Sequence, residues 1–260
     1  MRTILLSIFA ALALCAASAA ADEAARSGPA ALYEAGAWRE AEQLAATASD
    51  ASSRTLAAQA VLARLMSGEL ADEPRGDKRE AARRAQSHAR SALDFDPDHA
   101  PAHLRLAAGI GYEARYRSAI SAAMARLPQR GLEHIETALA LDPTDPWAHA
   151  LLGAWHLEVA RKGGEGVFGS DMETGLAAYR RAVAMESAEP AIPYHFALAL
   201  VAADPTAHEE EASAMLHQAL AEPAPDAFAE AAQALASSLK AELEADPAAA
   251  QALAISRLEQ

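Results

Sequence analysis

The chain has 260 residues, with 36 acidic against 22 basic side chains and a formal charge of −14. A charge of that sign repels nucleic acid and anionic membrane surfaces. Cys15 is the one cysteine, so the chain can hold no internal disulfide, and beyond that residue no thiolate metal site or thiol nucleophile.

The first residues read as a secretory signal over 1–21. Arg2 supplies the positive start, Ile4 to Ala17 the apolar run, and Ala19-Ala20-Ala21 the small residues before a cut ahead of Asp22-Glu23. The run is shorter than the ~20 residues a spanning helix needs. Leu14, which is not a small residue, precedes Cys15, against a lipoprotein signal. Removing the segment takes away Arg2 and no acid, and leaves 21 basic against 36 acidic residues, a charge of −15. No other stretch approaches transmembrane length. An exported, disulfide-free, Ala- and Arg-rich chain suits the periplasm of a high-GC bacterium, or secretion.

From there on the periodicity is helical and no stretch alternates long enough for a strand. Pro, Gly and Asp punctuate the chain at Gly36, 68–77, Asp96-Pro97, 143–146, 163–171, Pro190, Asp204-Pro205 and 223–226. Between these marks the spacing predicts about eleven helices, paired into antiparallel hairpins. A hexapeptide closes successive units: Ala92-Leu-Asp-Phe-Asp-Pro97 and Ala138-Leu-Ala-Leu-Asp-Pro143, with weaker copies at 182–187 and 219–224. Aligned on Ala48, Ala92, Ala138, Ala182 and Ala219, the units step by 44, 46, 44 and 37 residues. The surplus falls at 67–77, 115–127 and 163–171, each between the first and second helix of a hairpin. Stacking brings such turns to one edge. In the middle turn Ile120, Met124 and Leu127 recur at helical spacing, which predicts a longer preceding helix or a short helix of its own.

These residues resemble the tetratricopeptide repeat family, whose unit is two helices in ~34 residues. Tyr33-Glu-Ala-Gly36-Ala-Trp38 looks like its hairpin turn. Leu152-Gly153 matches its small residue at the helix crossing, while His156 and Ser187 depart from its tyrosine and proline. Residues 151–160 with Phe168-Gly169 also resemble the helical repeat of the regulator-of-microtubule-dynamics family, over one unit. A cytoskeletal role does not carry over to an exported bacterial chain. The resemblance implies an all-α, right-handed α-solenoid of about five antiparallel hairpins over 22–224, with a capping helix and tail over 225–260. It also implies a concave groove lined by the first helices, where Tyr112, Trp147, Glu158 and Tyr194 fall by register.

Chemical motifs are sparse. Gly164-Glu-Gly-Val-Phe-Gly169 fits G-x-G-x-x-G, but a helix precedes it and Glu165 would repel phosphate, so it reads as an inter-helix loop before a helix capped by Asp171. Asp94 to His99 lacks the glycine and glutamate of a calcium loop. His99 and His103 share a helix face without a ligand motif, and His149 and His156 read as core histidines. No catalytic residue, metal site or cofactor is expected, and no enzyme. Arg105, Arg115, Arg117, Arg126 and Arg130 gather around Tyr112 and Tyr116, although Glu113 and Arg117, four apart, can pair with each other. Tyr112, Arg115, Trp147, Glu158 and Tyr194 are therefore the candidate ligand surface. They suit an exported adaptor for a protein or peptide partner, with a solute- or lipid-handling accessory that takes a small anion as the alternative.

Overall fold

A computed structural model of the chain describes residues 28–185 and 189–259. The expected signal segment lies outside them, as do Glu186 and Ser187 of the third hexapeptide. The described chain is all-α: α1 Pro29–Glu34, α2 Trp38–Ala45, α3 Ala51–Met66, α4 Arg75–Phe95, α5 Ala100–Arg115, α6 Ala119–Met124, α7 Leu127–Leu141, α8 Pro146–Gly163, α9 Met172–Ala184, α10 Ala191–Ala203, α11 Glu209–Ala221, α12 Ala227–Ala245 and α13 Pro247–Glu259. All but α1 and α6 have eight residues or more, and none of the described residues is in a strand. Helices pair as α1–α2, α3–α4, α5–α7, α8–α9 and α10–α11, and successive pairs stack on one another.

The Asp-Pro step of the hexapeptide is a helix stop with a physical cause. Proline pushes the preceding residue out of the helical region. Asp96, Asp142, Asp204 and Asp246 accordingly sit extended, at φ of −144°, −137°, −159° and −154°. Each carboxylate then accepts the N–H two residues on, from Asp98, Thr144, Thr206 and Ala248, at 2.9–3.2 Å. At helix starts Asp50, Asp145, Asp171 and Asp226 accept first-turn N–H groups at 2.7–2.8 Å. Such caps contribute about 1 kcal/mol each. His99, not an aspartate, stands at the N-cap of α5, and its side chain makes no cap bond.

The first two of the three long turns are in contact. Leu70 of the first packs with Tyr116 of the second, and Arg75 donates to the Arg115 carbonyl at 2.7 Å. The Trp155 indole donates to the Pro128 carbonyl at 2.8 Å and ties α8 to the first turn of α7. Within the second long turn α6 is a short helix of its own, started by Ser118, whose hydroxyl accepts from the Ser121 N–H.

The ends of the solenoid meet. Gly36, at φ +78°, leaves room for Ala227: a Cβ there would stand 2.9 Å from the Ala227 Cβ. Phe228 joins Leu32, Tyr33, Trp38 and Ala41 in one core cluster, and Trp147 and Ala191 pack against or within it. So α12 closes the stack against the first hairpin. α13 continues from it along α10 and α12, with Ala250 and Ala254 fully buried.

Candidate functional site

Closure changes what the concave side is. The C-terminal helices lie over part of the expected groove positions. Tyr194 is 2 % exposed. Its hydroxyl accepts from Arg257 of α13 at 3.4 Å, and the same guanidinium donates to the Leu235 carbonyl at 2.8 Å and the Ser238 hydroxyl at 3.0 Å. Trp147 lies between His195 and Phe228, with ring centroids at 6.4 and 6.3 Å. An open groove at Tyr194 and Trp147 is thus replaced by an internal interface. The physical reason is apolar area: the inner faces of α8 and α10 pack with Ala236, Leu239, Leu243 and Ala254 in the largest core cluster.

Tyr112, Arg115 and Glu158 form a second, wetter group deeper along α5 and α8. All three are only partly buried. The Arg115 guanidinium lies over the Tyr112 ring at 4.6 Å, a cation–π contact. Burial raises the Tyr112 pKa, with Arg115 opposing. Burial also works against the Glu158 charge, yet Arg161, Arg115 and Lys162 hold its carboxyl below the usual range. Arg161 and Lys162 reach it at 2.9 and 2.7 Å. His195, one residue past Tyr194, is pulled down to about 4 by burial and by the Arg115 charge. It is neutral at pH 7.

A cleft of 540 Å³ opens between α13 and the start of α4, lined by Arg75, Lys78, Ala252, Ile255, Ser256 and Glu259. Arg75 ties this mouth to the inner group through the Arg115 carbonyl. The spacing of α5 did not disclose His195, Arg75 or Arg257. One signal was available, because Arg257 is the single arginine after Arg181.

The arginines expected to cluster divide in two. Arg105 turns inward and donates to Gln59 at 3.2 Å, and Arg115 also turns inward. Arg117 pairs with Glu113 at 2.7 Å, while Arg126 and Arg130 stand outside with α7. His156 is buried and accepts the Asp171 N–H at 3.1 Å, as a core histidine would. His149 does not: it stays at the surface, against the Pro143 carbonyl at 3.0 Å. In the glycine loop, Glu165 accepts the Met172 N–H and Asp171 the Thr174 N–H, so two carboxylates already occupy the helix start where a phosphate would bind. Among the described residues no three His, Cys, Asp or Glu side chains are grouped to hold a metal ion. No helix among them is long and apolar enough to cross a membrane.

The sequence matches the family model of the regulator of microtubule dynamics protein 1–3 over residues 30–244. The chain belongs to that family. The family match runs from α1 to the end of α12, far beyond the one unit that carried the resemblance, and α13 lies past it. The chain is similar in structure to TTC0263, a thermophilic TPR protein of Thermus thermophilus. The TM-score is 0.54 at 16 % identity, over 76 % of this chain and 90 % of that one. At that identity the likeness concerns the fold alone, a TPR-like helical repeat. No curated protein sequence matches the chain.

Proposed function

We propose that this member of the family is an exported scaffold that binds a protein or peptide partner as a short helix on its concave side. The observation that carries this reading is α13. It is a thirteen-residue helix beyond the family-matched segment, held by small apolar residues one turn apart, Ala250 and Ala254, and by Arg257 on Tyr194. It therefore displays in cis the chemistry the groove accepts: an alanine-faced helix with one guanidinium.

The test uses the full chain with Ala254→Glu and Arg257→Glu, which expel α13, and a labelled peptide of residues 247–259 followed by fluorescence anisotropy. The peptide should bind the double variant and not the parent chain. Failure to bind either overturns the reading. In a co-purification from cell envelopes, Tyr112→Ala with Arg115→Ala should remove a partner. An unchanged set of partners refutes the site.

A second reading, a solute- or lipid-handling accessory, draws on the cleft between α13 and α4. Its 540 Å³ is the size of a small-ligand pocket, and Arg75 and Lys78 face Ala252 and Ile255 across it. A ligand-induced rise in melting temperature supports this reading, and its absence across anionic solutes removes it.

A further inference from the structure

On the outer side of the middle long turn, arginines gather around too few carboxylates. Residues 116–132 hold Arg117, Arg126 and Arg130 and no acid, in a chain of charge −14. Glu113 is 6 % exposed and takes Arg83 at 3.0 Å, Arg117 at 2.7 Å and the Gln86 amide at 2.8 Å. Gln86 in turn accepts from Arg90 at 2.7 Å. Arg130 presses its charge on Arg90 and on His134, where Glu133 gives a partial offset. Arg90, Arg126 and Arg130 are in no ion pair with a described residue. Like charges set side by side without counter-charge are costly unless something anionic covers them.

Beside them stands α6. Ile120 is 76 % and Met124 83 % exposed, the two most exposed large hydrophobic side chains described, and they lie four residues apart on one helix face. Arg117 reaches the Ser121 hydroxyl on the same helix at 3.1 Å, and Arg126 follows Met124 by two residues. Ala122 faces the core. The two side chains stand proud of the surface. Exposed aliphatic side chains flanked in sequence by arginines match an interface that is soft, apolar beneath and anionic at its surface.

We propose that α6, with Arg117, Arg126 and Arg130 flanking it in sequence, is a peripheral docking site for an anionic lipid bilayer. The repulsion expected from the whole-chain charge does not oppose this, because charges more than ~8 Å from the contact are screened at physiological salt.

Co-sedimentation of the full chain with vesicles tests it. The chain should pellet with phosphatidylcholine–phosphatidylglycerol vesicles and not with phosphatidylcholine alone, and rising salt should release it. Arg126→Ala with Arg130→Ala should weaken partition on the order of twentyfold, since each arginine near an anionic surface contributes about fivefold. Ile120→Ser with Met124→Ser should abolish the binding that survives high salt. These exposed positions leave the fold intact, as circular dichroism will verify. The proposal is overturned if the parent chain ignores anionic vesicles or if neither double variant changes partition. It is equally overturned if the patch captures a Glu/Leu amphipathic peptide while vesicles stay in solution, which would make it a protein-docking site.

Discussion

Gly153 is where the helix crossing of the fourth unit is decided, and replacing it with alanine tests the packing directly. A Cβ at that position would stand 2.5 Å from Tyr179 Cδ2, 2.8 Å from its Cγ and 2.9 Å from the Gly175 carbonyl oxygen. Neither neighbour can give way easily. The oxygen belongs to α9, and the Tyr179 ring is stacked on Phe196 at 4.8 Å with planes 8° apart, both rings buried. Overpacking a core costs about 1–3 kcal/mol, and the rigid neighbours put this site at the upper end. Alanine returns about 1 kcal/mol of helix propensity over glycine. The net is a loss of about 2 kcal/mol, and a Tm lowered by about 4–8 °C for a chain of this size. Gly111 is the internal control. It lies in the same kind of helix interior, exposed, with nothing near its Cβ, so Gly111→Ala should raise stability by about 0.5–1 kcal/mol. Thermal melts by circular dichroism read both. If Gly153→Ala melts at or above the parent chain, the close approach of α8 to α9 is not what sets this crossing.

Phe228→Ala opens the contact between α12 and the first hairpin and should cost about 3 kcal/mol; hydrogen exchange should quicken in α1–α2 as well as in α12, and a change confined to α12 would show that closure carries no energy. Glu113→Gln should cost about 2 kcal/mol in urea denaturation, because charged hydrogen bonds to Gln86, Arg117 and Arg83 are lost. Although burial opposes its charge, those partners hold the Glu113 carboxyl at about 2, so its contribution is full above the unfolded value of about 4.3 and disappears as pH falls toward about 2; the variant should lose that acid slope. His195 titrates at about 4 in the fold against about 6.5 unfolded. Stability should be full above about pH 6.5 and fall as pH drops toward about 4, and His195→Phe should flatten that window.

Much of the fold was legible because it is local. Asp-Pro steps, aspartate caps and the 44–46-residue spacing act over a few residues or repeat in register, so the helix ends and the three long turns could be read directly. Closure was not legible: the Gly36–Ala227 contact joins residues from opposite ends of the stack, and no repeat period encodes where the first and last units meet. The tail looked like a simple cap for a related reason. Its apolar positions are alanines, which suit a solvent-facing helix as well as a docked one, and only Arg257 distinguished it. Nor could spacing along one helix tell which arginines of the 105–130 cluster turn inward, because α5 ends at Arg115 and the chain reverses through α6 before Arg126.

The two faces of this solenoid call for opposite readings of exposed and buried charge. Inside, two charges of the candidate site have partners supplied by the fold: Glu158 has Arg161 and Lys162, and Arg115 has the Tyr112 ring. A ligand there must displace α13 or enter beside it, so binding competes with an intramolecular helix. Outside, Arg90, Arg126 and Arg130 are in no ion pair with a described residue, and the repulsion between Arg90 and Arg130 is already present in the free chain. An anion there relieves repulsion without breaking any contact of the fold. Salt should therefore weaken binding at the outer patch steeply, while binding at the inner cleft should respond mainly to substitutions in α13.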